Sequence, residues 1–108
     1  MNNQVRIDFH VSWNLSREKT SKDPLAKGLR NFGRYVPVRV YLEPSGEMLS
    51  ERVFDLRDPY KIHETHFVDL GLGRWSVRVE DLSGWLDLQI ENTKLNGVDL
   101  FGNEFTLG

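Results

Sequence analysis

Val5, Ile7, Phe9, Val11 and Trp13 alternate with Arg6, Asp8, His10 and Ser12. A helix would scatter these five apolar side chains around its circumference, whereas a strand sends successive side chains to opposite faces. The stretch therefore predicts a strand with one buried face, and a second layer must cover that face. Residues 35–42 repeat the pattern, with Val36, Val38, Val40 and Leu42 on one side. Pro37 cannot donate to a ladder, so this strand is expected at a sheet edge or with that position turned outward.

Pro44-Ser45-Gly46-Glu47 reads as a tight turn. A third strand is expected over about 48–56 and a fourth over about 60–70, separated by Arg57-Asp58-Pro59. Gly71-Leu72-Gly73 breaks the chain before Trp75, Val77 and Val79, and Ser83-Gly84 breaks it before Leu86, Leu88 and Ile90. Asn96-Gly97 signals a hairpin, because both residues accept the positive φ of a type I′ turn. Gly102-Asn103 adds a turn before Phe105. The fold expected is all-β, an antiparallel two-sheet sandwich of seven or eight strands, immunoglobulin-like in architecture.

One short helix is expected between the first two strands. Asp23 suits an N-cap, Pro24 the first helical position and Gly33 the closing left-handed residue. Leu25, Leu29 and Phe32 fall on one face between them. Residues 14–22 read as a polar, mobile lead-in to that helix-containing insertion, 14–34.

The 108 residues suffice for one domain, residues 1–108, with a single core. No apolar run approaches the ~20 residues that span a bilayer, so no membrane contact is expected. The chain has no cysteine, which removes disulfides, thiolate nucleophiles and cysteine zinc sites and leans toward the cytoplasm. The net charge of −2 hides an asymmetry. Between Arg17 and Arg39 stand Arg17, Lys19, Lys22, Lys27, Arg30, Arg34 and Arg39 against only Glu18 and Asp23. A basic segment on an acidic body suits an anionic partner; the alternative is a solvated loop whose charges pair with the chain's own acidic strands.

Residues 36–80 resemble the prealbumin-like (transthyretin-like, carboxypeptidase-regulatory-like) β-sandwich family. The resemblance rests on Val38-Arg39-Val40-Tyr41-Leu42, Ser45-Gly46, and Leu70-Gly71-Leu72-Gly73-Arg74-Trp75-Ser76-Val77-Arg78-Val79. It implies a scaffold used for adhesion, assembly or binding. The insertion at 14–34 departs from that family's usual first connection. The chain ends Glu104-Phe105-Thr106-Leu107-Gly108, where the related hydroxyisourate hydrolases carry Tyr-Arg-Gly-Ser, so no catalytic residue carries over.

His63-Glu64-Thr65-His66 is one residue short of the HExxH zinc pattern. On a strand its histidines face opposite sides, so zinc would require His10 or Asp69 from across the sheet. No metal, cofactor or catalytic residue is assigned, and no enzyme is expected. Trp13 and Trp75 read as core. Trp85 is in register with Asp87, Gln89 and Glu91, and Tyr35 and Tyr41 share the outward side with Arg39, the residue types of interface hot spots; the alternative for Trp85 is that it folds over an edge or packs beneath 14–34. The expected contact residues are Lys27, Arg30, Arg34, Arg39, Tyr41 and Trp85, on a module that binds another protein, one with an acidic surface. Self-association by edge-strand pairing is a further expectation. The alternatives are a carbohydrate-binding module stacking sugars on Trp85 and a tyrosine, and third a small hydrolase. Phe32 and Tyr35 among Arg30 and Arg34 supply pieces of a nucleic-acid site, but the acidic chain argues against one.

Overall fold

A computed structural model describes residues 3–22, 35–55 and 61–108. The described residues form two four-stranded antiparallel sheets and almost no helix. In chain order the strands are β1 (Asn3–Leu15), β2 (Tyr35–Glu43), β3 (Glu47–Asp55), β4 (Ile62–Leu70), β5 (Gly73–Asp81), β6 (Leu86–Leu95), β7 (Val98–Asp99) and β8 (Glu104–Leu107). Sheet A runs β4-β1-β6-β7 and sheet B runs β3-β2-β5-β8.

The two most regular alternating segments take inner positions. β1 pairs with β4 on one side and β6 on the other, and β2 lies between β3 and β5. Ile7, Phe9, Val11 and Trp13 of β1 and Val36, Val38, Val40 and Leu42 of β2 are buried in one core shared with Phe54, Val77, Leu86 and Phe105. Each such side chain contributes about 1.5–3 kcal/mol relative to exposure.

β2 is an inner strand, which corrects the edge alternative drawn from Pro37. Proline is accommodated because the β2–β5 ladder begins only at Val38. The Pro37 carbonyl accepts Leu82 N–H at 3.2 Å, so the missing donor would face the ladder's end. The position also alternates outward, as the sequence required.

β6 slips phase midway. Leu88 and Ile90 point inward from even positions, yet Thr93 and Leu95 do so from odd ones. His10 pairs with Glu91 and Asp8 with Lys94, so Asn92 and Thr93 together oppose Phe9 in a bulge. Asn92 holds a φ of 54° there. Asn96 and Gly97 have φ 50° and 82° and join Leu95 directly to its partner Val98, the turn the Asn-Gly pair predicts.

The described helix is α1 (Arg17–Ser21), within the stretch expected to be a mobile lead-in. Ser16 caps it by accepting Lys19 N–H on its side chain at 3.2 Å, and its own N–H reaches the Trp85 carbonyl at 2.8 Å. Asn14 and Leu15 belong to β1. The helix expected from Asp23 to Gly33 lies outside the described residues, as do residue 56 of the third predicted strand and residue 60 of the fourth.

Candidate functional site

The outer face of sheet B gathers two of the six expected contact residues. Arg39 and Tyr41 project from β2 on the side opposite the valines, with Tyr35 and Pro37 in the same row. Arg39 donates to Glu51 across the β2–β3 ladder at 2.7 Å. Hydrogen bonding to Glu51 first and Tyr41 second raises the Arg39 pKa above its ordinary value. Opposite Tyr41 on β5, the Arg78 guanidinium lies 4.5 Å from the Tyr41 ring centre and binds Glu43 at 2.8 Å and Glu80 at 2.9 Å. Cations and carboxylates therefore alternate across the face and hold one another in place. Toward its end the face turns apolar: Tyr35 is 63% and Val53 60% exposed, with Val53 paired to Pro37.

Trp85 does not join that surface. It is half-buried against the core, before the start of β6, which corrects the outward register expected for it. The chain passes from β5 to β6 through Asp81, whose carboxylate accepts Ser83 N–H and Leu86 N–H at 2.8 Å each. That turn sets Trp85 out of phase with Asp87. Lys27, Arg30 and Arg34 lie outside the described residues.

The His63-Glu64-Thr65-His66 phrase is divided between the two faces of β4, as strand periodicity requires. Glu64 and His66 point between the sheets and His63 and Thr65 point out. Glu64 is 1% exposed beside Phe9. Its carboxylate accepts Ser50 Oγ, Arg52 Nε at 3.0 Å and a contact from His66 Nε2 at 3.3 Å. Ser50 and Arg52 belong to β3, so this carboxylate ties the outer strands of the two sheets together. Burial pushes the Glu64 pKa up, but the Ser50 hydrogen bond and the Arg52 charge outweigh it and hold the group below its ordinary value. The serine proton is directed at the carboxylate and not at an imidazole, which is not the order of a serine nucleophile and its base. Sequence reasoning missed this cluster because it assigned polar side chains to the outward face.

The outer face of sheet A is concave, a hollow of about 690 Å³ lined by Arg6, Asp8, His10, His63 and Lys94 among others. His10 is the cross-strand partner of His63, and their rings stack 4.7 Å apart at 16°. Asp8 accepts Thr65 Oγ1 at 2.7 Å and Arg6 Nε at 2.9 Å. The Thr65 hydrogen bond, opposed by burial and aided by Arg6, lowers the Asp8 pKa. Two near-parallel imidazoles direct their in-plane lone pairs into separate planes, so they do not converge on one ion as they stand. Among the described residues no group of three or more histidine, aspartate or glutamate side chains is placed to hold a metal ion. Asp69, the other candidate from across the sheet, is exposed near the end of β4.

No described helix is long and apolar enough to cross a membrane. No family model matches the chain, and no curated protein or solved structure is significantly similar to it.

Proposed function

We propose that the chain is a non-enzymatic binding module that engages another protein through the outer face of sheet B. The observation that carries this reading is the continuous outward row of Tyr35, Pro37, Arg39 and Tyr41 on β2. Exposed Val53 extends the row on β3, and ion pairs to Glu51, Glu43 and Glu80 hold the arginines at its other end. Aromatic and arginine side chains already fixed in place lose little freedom on binding, which makes them effective contact residues. The basic run ending at Arg39 leads directly into this strand, so the partner proposed is one with an acidic surface. A prealbumin-like kinship over residues 36–80 belongs to the same proposal, as a scaffold of the kind that serves adhesion and assembly.

Sugar stacking on Trp85 and a tyrosine has less support. Trp85 packs against the core, and one face of Tyr41 is covered by Arg78. Self-pairing through β3 or β4 is opposed by Glu64, a buried charge on β4, and by half-exposed Arg52, which reaches it from β3, a device that discourages strand addition.

The test compares the immobilised wild-type chain with an Arg39→Glu/Tyr41→Ala variant of unchanged circular dichroism. A protein retained by the wild type, lost by the variant and released by moderate salt supports the reading. Identical retention by both chains contradicts it.

A further inference from the structure

On the flank away from Glu64, β5 and β6 face each other across the sandwich, and the short strands β7 and β8 extend along only part of them. β7 pairs only with Lys94 and Leu95 of β6, and β8 only with Gly73–Ser76 of β5. Between the uncovered stretches lies a slot of about 440 Å³ lined by Val77, Val79, Leu88 and Ile90, with Glu43 and Glu104 at its rim. Val77 is fully buried, while Val79, Leu88 and Ile90 are only partly so.

The backbone beside this slot faces outward. The Trp85 carbonyl accepts Ser16 N–H from the β1 side. Alternation in an antiparallel ladder then turns Asp87, Gln89 and Glu91 toward β1, and Leu86, Leu88 and Ile90 away from it. Leu86 is closed locally, its N–H held by Asp81 Oδ2 at 2.8 Å and its carbonyl by Lys19 Nζ at 2.8 Å. Leu88 and Ile90 have no backbone partner among the described residues. An apolar slot and a free strand edge thus coincide at the same two residues.

We propose that this slot is the docking site for an extended segment of a different protein, added as a strand to the free edge of β6. Its apolar side chains would enter the slot and alternate with basic ones. The inward side chains of such a strand meet Val79, Leu88 and Ile90. Its outward side chains lie beside Asp87, Gln89 and Glu91. Asp87 keeps 61% of its side chain exposed although Lys19 is 3.3 Å away, Glu91 keeps 30% exposed beside Lys61 at 2.7 Å, and Glu43 and Glu104 add further negative charge at the slot. Arg78, the cation lining the slot, is already bound to Glu43 and Glu80. A basic segment therefore complements the rim. A second copy complements it less well, because β6 paired antiparallel with itself about Gln89 sets Asp87 against Glu91 and adds no cation to the slot. This proposal stands apart from the sheet B contact surface, since neither Arg39 nor Tyr41 borders the slot.

The probe is a capped, fluorescent peptide of about five residues, long enough to cover the free edge, alternating lysine and valine. Its binding to the whole chain is followed by anisotropy. The peptide is expected to bind at least about tenfold more tightly than its valine–glutamate counterpart or a scramble with adjacent valines. N-methylation of the amides on one edge of the peptide is expected to weaken binding about tenfold per bond, and on the other edge to change nothing. Ile90→Lys removes binding, whereas the Arg39→Glu/Tyr41→Ala variant retains it, so the two readings fail separately. Equal binding of all three peptides, or indifference to methylation on both edges, overturns the proposal. A dimer in sedimentation that Ile90→Lys dissolves also overturns it, by assigning the slot to a second copy.

Discussion

The two flanks of the sandwich close in opposite ways. Between β3 and β4 the gap is filled by a buried carboxylate, Glu64, that takes hydrogen bonds from Ser50 and Arg52 of the facing sheet. Between β5 and β6 the gap is lined by valine, leucine and isoleucine, and the strands that would cover it are four and two residues long. A polar clasp satisfies itself and repels an added strand, because a buried charge tolerates no apolar newcomer. An apolar slot beside free backbone groups has the opposite character. The difference sets a flank whose polar groups satisfy one another against a flank that leaves apolar side chains half-exposed.

The largest effect is expected where the sealed flank meets the core. Phe9→Ala opens a cavity beside Glu64 at a fully buried site and should cost about 3–5 kcal/mol in urea unfolding. Glu64→Gln comes next, at about 2 kcal/mol, since a buried carboxylate loses its charge-assisted hydrogen bonds. The sign of its pH dependence follows from the lowered pKa. The carboxylate's contribution is present above the unfolded value near 4.5 and is lost as pH falls through the folded value. Glu64→Gln should therefore flatten the acid limb of the stability curve, and an unchanged limb would show that the clasp is not ionised.

Replacing the clasp by apolar residues sharpens the contrast further. An Arg52→Met/Glu64→Leu chain should be within about 1 kcal/mol of the wild type, yet associate through the β3 and β4 edges in sedimentation. On the open flank, Ile90→Lys should cost only about 1 kcal/mol, because that side chain is half-buried to begin with. Arg39→Ala on the sheet B face is expected to change stability by under about 0.5 kcal/mol, as exposed ion pairs do.

The sequence made the inner strands legible because β1 and β2 bury one face each, and alternation reports that directly. The Asn96-Gly97 turn was equally readable, since its chemistry is local. Alternation failed where an edge strand turns charge inward. Nothing within residues 62–70 distinguishes Glu64 as buried, because its partners Ser50 and Arg52 lie in the other sheet. It failed again at Asn92, where one extra residue shifts the phase of β6, and at Trp85, where the Asp81 turn does so. The helix signal at Asp23-Pro24 overshadowed Ser16, whose side chain and N–H together anchor α1 to the end of β6. Of the expected contact residues, the outward placement of Arg39 and Tyr41 was readable by parity with Tyr35. The slot was not, because it depends on the shortness of β7 and β8 rather than on any motif.

The asymmetry between the flanks is tested most directly by residue-resolved amide hydrogen exchange along β6. Protection should alternate, with Gln89 and Glu91 exchanging slowly through their bonds to β1 and Leu88 and Ile90 exchanging fast. Uniform slow exchange from Leu88 to Glu91 would mean that this edge is already occupied, and the open flank would not exist.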